Sequence, residues 1–484
     1  MYILAIDQST SSTKAILFDQ ELRLAGRCNA DHRQIYPRAG WVEHDPLEIY
    51  QNLRKSVQGV ISENGIFQNE IHCISLSNQR ETTVIWDAIT GLPVYNAIVW
   101  QCNRAVSITD RDVISQRKKE ITQKTGLPLS PYFCAAKAAW IVKNVDISGK
   151  RLMFGTIDTW LIWKLTGKHL TDYSNASRTQ LFNIHTLTWD KELIRLFGLE
   201  DVVFPDVICS DSVFGETTMD NLFSRPIPVA GVLGDSHGAM FGQQCWKRGM
   251  GKATFGTGTS VMMNIGTQPL LSDQGIATSI AWGIDGQVEY VFEGNINCTG
   301  DTLRWLVNDL GILPDVKSSE DYARRVPSSQ GVYLVPAFTG LGAPYHIGNA
   351  HALICGLSRD SGKYHIVRAA LEAIVYQVRD VIKPMIEDAN MAFEELRVDG
   401  GPTGNNFLMQ FLADMLNTRI VRADIQELSA FGAACAGGLG TGWFHNREDL
   451  ACLRRTREKY EPAMCREEAD VLYSGWKKAV EKVL

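Results

Sequence analysis

The chain has 484 residues, of which 45% are hydrophobic and 21% charged, and a formal net charge of −6. That length exceeds one typical core and predicts two or more domains, and the mild acidity excludes a global basic field for nucleic acid or acidic lipid. Eleven scattered cysteines without a C-x-x-C pair, no signal-peptide pattern and no apolar run of bilayer length point to a reduced, cytoplasmic protein that does not engage a membrane.

The first nineteen residues carry the strongest local signal. An apolar run ends at Asp7. Gln8, Ser9, Thr10, Ser11, Ser12 and Thr13 follow, then Lys14 and a second apolar run. The pattern reads as strand, polar turn, strand. It is either an ordinary edge hairpin or a phosphate cradle, with N–H groups, hydroxyls and an ammonium beside a carboxylate suited to a cation. A helix is predicted over 46–64, opening at Asp45-Pro46, and a strand over Ile71–Ser77. Arg80 and Glu81 then sit side by side at a strand end. They form either a solvated charge pair or a grip on a diol, with Glu accepting from hydroxyls and Arg donating to their oxygens. A Trp-rich helix near Asp158–Leu165 reads as core.

A further strand at Ile227–Val232 runs towards Asp235, which is flanked by glycines that admit a ligand close to the backbone. Asp235 is a candidate general base, a cap for a helix starting near Ser236, or both. Residues 252–263 repeat the strand, Gly/Thr turn, strand design about 245 residues after the first, which suggests two related halves. Helices are predicted at Tyr364–Asp388, Asn405–Asn417 and Leu428–Gly437. The last is rich in Ala and Gly and suited to close packing. The Gly-rich turn at 398–406 is either a plain connection or a seat for a base or phosphate at a helix start.

No G-x-x-x-x-G-K-[ST], no G-x-G-x-x-G after a strand and no zinc-type Cys/His spacing is present. What remains is polar Gly/Thr turns and isolated acids at strand ends. Phosphoryl transfer uses such a set: donors around phosphates, a carboxylate for a metal and a base for the attacking hydroxyl.

Taken together, Gly40–Pro46, Asn78–Thr83, Tyr95–Cys102, Pro336–Tyr345, Ala352–Glu372 and Asn405–Phe411 closely resemble the FGGY carbohydrate kinases over nearly the whole chain, above all the glycerol-phosphorylating branch. The resemblance implies an α/β fold of two actin-like (RNase H-like) ATPase domains with a cleft between them. Residues 1–244 would carry the polyol site and the first phosphate hairpin, and 245–484 the nucleotide site. It implies ATP and Mg²⁺ as cofactors, glycerol or a closely related small polyol as acceptor, and a homodimer or higher homo-oligomer. A ketopentose or four- to five-carbon polyol kinase is the alternative, and a non-catalytic actin-like nucleotide-binding regulator a remote one.

By position, the resemblance makes Asp7 the magnesium acid and Thr10, Ser11, Ser12 and Lys14 the first phosphate turn. Thr257, Gly300, Arg304, Gly401 and Asn405 would contact the nucleotide. Arg80, Glu81, Trp100 and Tyr132 would hold the acceptor, and Asp235 would bind it and take its proton. Two departures touch the acceptor pocket. Ser236 stands where that branch usually has Gln, and Ser260 where it usually has Phe. Both add hydroxyls and leave room, which favours an acceptor longer than glycerol, while Arg80, Glu81, Trp100 and Tyr132 are all of the glycerol type. The sugar-bisphosphate loop of some bacterial members is absent. Leu222–Pro226 stands in its place, so inhibition of that kind is not expected.

Overall fold

The structure is a computed structural model that describes residues 1–66, 68–453 and 456–484, without the side chains of Gln68 and Arg457. Ile3, Leu4, Ala5 and Ile6 are all fully buried, so β1 (Tyr2–Gln8) is covered on both faces. That is why its sequence is a continuous apolar run instead of an alternation. β2 (Ser12–Phe18) returns antiparallel and sets Lys14 directly opposite Asp7. β3 (Leu24–Asp31) pairs antiparallel with β2, and β4 (Ile71–Asn78) runs parallel to β1. β5 (Val213–Thr217) and β6 (Ile227–Gly234) complete a six-stranded sheet in the order β5-β6-β4-β1-β2-β3.

The second half rebuilds this plan. β7 (Met250–Phe255) and β8 (Thr259–Gly266) form the second hairpin. β9 (Ala277–Ile284) and β10 (Gln287–Ile296) extend it antiparallel. β11 (Glu395–Asp399) and β12 (Arg419–Ala423) add parallel strands, and β13 (Thr456–Tyr460) closes the edge. The order is β9-β10-β8-β7-β11-β12-β13. Apart from β9, each strand has a counterpart of the same direction in the first sheet. The recurrence read from residues 252–263 is therefore a repeat of topology as well as of turn chemistry.

Seven helices matter for the site. α1 (Pro46–Glu63) starts as expected, with the Asp45 carboxylate accepting from the Leu47 N–H and Pro46 in the first turn. α2 (Cys134–Asn144) carries the buried Lys137. α3 (Asp235–Gly242) follows β6 directly. α4 (Gly300–Asn308), α5 (Lys363–Ala389), α6 (Asn406–Leu416) and α7 (Leu428–Gly440) belong to the second half. One expectation needs correcting. Gly234, not Asp235, is the cap of α3; Asp235 is the first helical residue, and its carboxylate accepts from the adjacent Ser236 N–H at 2.6 Å. The Trp-rich helix spans Ile157–Thr166, and Trp160 is fully buried in the first-lobe core.

α7 crosses over and packs on the first sheet, against β6, β4 and β1, while also touching α3. A hydrophobic cluster unites Ile3, Ala5 and Phe18 of the first sheet with Met262 and Trp282 of the second, plus Phe241 and Phe431 from these helices. The helices approach so closely that a Cβ on Gly432 would lie 1.8 Å from the Gly238 carbonyl oxygen. Overpacking of this kind costs about 1–3 kcal/mol. Gly432→Ala is therefore expected to lower the thermal unfolding midpoint measurably; an unchanged midpoint by scanning calorimetry would show that the seam is not close-packed.

Candidate functional site

A cavity of about 350 Å³ opens between the lobes. The first hairpin contributes Asp7 and Lys14, α3 contributes Asp235 and Ser236, β7 contributes Lys252 and Thr254, the end of β11 contributes Asp399, and the segments after β11 and β12 contribute Gly400 and Glu427. The two expected acids, Asp7 and Asp235, thus face one space. Burial raises the Asp7 pKa to about 6, with Lys14 opposing and Asp235 and Glu427 adding to the rise. Lys14 Nζ lies 3.9 Å from the Asp7 carboxylate and donates to Glu427 Oε2 at 2.7 Å.

The first turn is braced from behind. His32 Nε2 and Gln34 Nε2 each approach the Thr10 carbonyl at 2.8 Å. Trp100 Nε1 donates to Thr10 Oγ1 at 2.9 Å, so the first polar turn and the Trp100 indole share a hydrogen bond. Ser11 is exposed, while the Ser12 hydroxyl is turned in, 3.4 Å from Ser9 Oγ.

Arg80 and Glu81 are buried, which removes the reading of a solvated pair. Arg80 donates to both Glu293 oxygens at 2.8 Å, to Asp235 Oδ1 at 3.1 Å and to Ser236 Oγ at 3.2 Å. Arg178 joins Glu81 at 2.5 Å and Glu293 at 3.0 Å. Burial opposes charge on Glu293, yet Arg178 and Arg80 outweigh it and hold its carboxyl well below the usual range. Burial likewise opposes charge on Arg80, and Glu293 and Glu81 more than reverse it. His237 is fully buried between Arg80 and Ser279; burial and then Arg80 keep its pKa well below the ordinary value, so it is a neutral packed imidazole. In contrast, the Asp235 side chain keeps 40% exposure towards the cavity. The Trp100 and Tyr132 rings meet edge-on at 5.7 Å. Ser260 lies across the strand pair from Thr254, and its Oγ is buried with no hydrogen-bond partner among the described residues.

The residues expected around the nucleotide form a second group on the other lobe. Arg304 donates to Thr257 Oγ1 at 2.6 Å, and the Gly300 N–H donates to the Gly256 carbonyl at 3.0 Å. A Cβ on Gly300 would sit 2.4 Å from that carbonyl, so the start of α4 meets the turn only through glycine. Gly401 opens a short 3-10 turn next to Gly400. The Asn405 side chain caps α6, accepting from the Leu408 N–H at 2.9 Å and donating to Ser319 Oγ at 3.1 Å.

Six further charged groups escaped the sequence reading: Lys137, Arg178, Lys252, Glu293, Asp399 and Glu427. Lys137, Lys252 and Glu293 share a signal that could have found them, a single ionisable residue inside an apolar run. Glu427 has another mark, a left-handed backbone (φ 52°) at the foot of α7. Among the described residues, no three His, Cys, Asp or Glu side chains gather into a metal cage. The cavity instead offers separate carboxylates beside two ammonium groups. That donor set fits a hard divalent cation carried on nucleotide phosphates, with one or two protein oxygens.

Paired actin-like lobes around a charged cleft, with a carboxylate beside a buried guanidinium and glycine-lined turns opposite, define a phosphotransferase of the sugar-kinase class. The family models agree. Residues 2–242 match the N-terminal domain and 251–441 the C-terminal domain of the FGGY family of carbohydrate kinases. The chain belongs to that family. A glycerol kinase from Caldanaerobacter subterraneus subsp. tengcongensis is 47% identical over 100% of this chain and 98% of its own. The crystal structure of Plasmodium falciparum glycerol kinase with ADP superposes with a TM-score of 0.93 at 34% identity, covering 100% of this chain and 98% of that one. A xylulose kinase from Lactobacillus acidophilus shares the fold at a TM-score of 0.89 with 22% identity, covering 99% and 98%.

Breaking a buried ion pair from one side costs about 3–5 kcal/mol, because the other charge stays behind. Glu293→Gln is expected to lower thermal stability and to weaken turnover together, since Arg80 and Arg178 both lose the counter-charge they share and keep only Asp235 and Glu81. Calorimetry with steady-state kinetics tests this; full activity and an unchanged midpoint would contradict it.

Proposed function

We propose that the enzyme transfers the γ-phosphoryl group of ATP to a primary hydroxyl of glycerol. The carrying observation is that Asp235, bonded to Arg80 and open to the cavity that holds Asp7 and Lys14, sits in a chain 47% identical from end to end to a curated glycerol kinase. In this reading Asp235 takes the proton from the attacking hydroxyl. Arg80 holds the carboxylate in place and donates to substrate oxygens, Glu81 accepts from hydroxyls, and Trp100, Tyr132, Ser236 and Ser260 line the rest of the pocket. Thr10, Ser11, Ser12 and Lys14 take phosphate oxygens from one lobe. Thr257, Gly300, Arg304, Gly401 and Asn405 take the nucleotide from the other. Asp7 would hold Mg²⁺ delivered with the nucleotide, which supplies charge neutralisation on the phosphates. Fixed donors at the point of charge development and exclusion of water between the lobes supply most of the remaining rate. The division at 1–244 and 245–484 is part of the same proposal. So is a reducing, cytoplasmic setting, which the eleven free thiols support.

The ketopentose or four- to five-carbon alternative is not favoured. The xylulose kinase likeness, at 22% identity, is a likeness of fold. The added hydroxyl of Ser236 gives no separate support, because Ser236 Oγ already accepts from Arg80.

Loss of a general base typically costs about 10²–10⁴-fold in rate. Asp235→Asn should therefore keep ATP binding and the fold but lose at least about a hundredfold in kcat, read as acceptor-dependent ADP release. A variant within about tenfold of wild type, which is 1.4 kcal/mol, would remove Asp235 from this role. In a panel of glycerol, erythritol, xylitol and ketopentoses, glycerol should give the highest kcat/KM; a better four- or five-carbon acceptor would overturn the assignment.

A further inference from the structure

One buried cation is not used by the chemistry described above. Lys137 lies on α2, fully buried, in the run Cys134-Ala135-Ala136-Lys137-Ala138-Ala139. Its Nζ donates to the Glu81 carbonyl at 3.0 Å and also to the Tyr132 carbonyl. Both residues belong to the proposed acceptor site, and they come from separate loops. Glu81 moreover has a left-handed backbone, φ 58°, which a residue with a side chain adopts only where its surroundings hold it. Its carbonyl accepts from Lys137 at 3.0 Å, with Cys134 Sγ and Thr83 Oγ1, each at 3.4 Å, as weaker donors. The Tyr132 ring centroid is 5.8 Å from the same ammonium.

We propose that Lys137 is a positioning residue for the acceptor: its ammonium ties the strained Glu81 backbone to the Tyr132 loop and so fixes the distance between two walls of the acceptor pocket. The inference rests on the reading of Glu81 and Tyr132 as acceptor ligands. A buried lysine without a carboxylate partner in contact is costly to keep charged. Here the two carbonyls stand in for that partner, and a charge-assisted hydrogen bond is roughly twice as strong as a neutral one. A methionine of similar length would fill the space and make neither bond. Among the described residues, none of those expected around the nucleotide bonds to these atoms, so the effect falls on one substrate.

The surroundings also make the device sensitive to pH. Burial lowers the Lys137 pKa to about 8, with Cys134, Glu81 and Cys102 opposing. The groups facing it are Cys134 on its own helix, Glu81 and Tyr132 on the two loops, and Cys102, which accepts from Arg104 at 3.0 Å. Burial holds the Cys134 thiol up at about 12 and pushes the Tyr132 phenol higher still, so neither titrates near 8. The ammonium is charged below about pH 8 and neutral above it, so the charge-assisted part of the grip is present on the acid side and lost as pH rises.

The test is steady-state kinetics on full-length wild type, Lys137→Met and Lys137→Gln with ATP and glycerol. Lys137→Met is expected to raise the KM for glycerol at least about tenfold, with the KM for ATP and kcat at saturating glycerol within about threefold. Lys137→Gln, which keeps two N–H donors, should recover part of the loss. Where the methionine variant does not fold, the wild-type pH series decides. The KM for glycerol should rise about threefold or more between pH 7 and about 9.5 while the KM for ATP stays flat, and Cys102→Ser should leave that rise in place. Parallel changes in both KM values, no change in either, or a rise abolished by Cys102→Ser would overturn the proposal. A wild type that phosphorylates no glycerol overturns the proposed function and this role together; an active wild type with an unaffected Lys137→Met overturns this role alone.

Discussion

A guanidinium taken out of water between two lobes must be neutralised there, and Arg80 is met from both sides. Glu293 reaches it from the second sheet with two hydrogen bonds, and Asp235 meets it from the first lobe with one. The carboxylate that would accept a proton therefore has its orientation set by a partner that the opposite lobe holds. Arg178 approaches Glu293 Oε2 alongside Arg80 and carries the chain of charges on to Glu81. Within a low-dielectric interior such a network is costly unless every member is paired. The arrangement is thus tied to one relative placement of the lobes, the one in which the cavity exists.

Keeping that placement is the task of the seam. Two copies of one strand plan set hairpin residues into one cavity, Asp7 and Lys14 from the first and Lys252 and Thr254 from the second, and α7 leaves its own half to lie on the first sheet beside α3. Side chains larger than hydrogen are excluded where Gly238 and Gly432 meet. Glu427, at the foot of α7, reaches Lys14 on the first hairpin and Arg27 on β3. Packing and ion pairing thereby act at the same crossing, one within the apolar seam and the other at its wet edge.

Much of the scaffold was legible from residues 1–19 and 252–263, because a buried strand that ends in a polar turn has few other readings. Asp45-Pro46 likewise announced α1, as a capping carboxylate followed by a residue that needs no N–H partner. Asp235 was placed near its position, yet its exact place in the helix was missed by one residue, since Gly234 can cap without a side chain. The buried charges were harder. Glu293 and Lys137 look like isolated polar interruptions until the partners arrive from residues far away in sequence, Arg80 and Arg178 for one, the Glu81 and Tyr132 carbonyls for the other. A backbone carbonyl that pairs with a lysine leaves no trace in sequence. The left-handed turns at Glu81 and Glu427 were invisible for a related reason: tertiary contacts impose them on residues that do not prefer them. Ser236 likewise reads in sequence as an extra hydroxyl for substrate, because nothing near it in the chain marks the bond from Arg80.

The most direct measurement is a crystal structure of the protein grown with ADP and glycerol. The account predicts a glycerol hydroxyl within hydrogen-bond distance of the Asp235 carboxylate, flanked by Arg80 and Trp100, with the diphosphate between Lys14 and the turn at Gly400. Glycerol seated away from Asp235, or a nucleotide bound outside the crevice shared by Asp7 and Asp235, would contradict it.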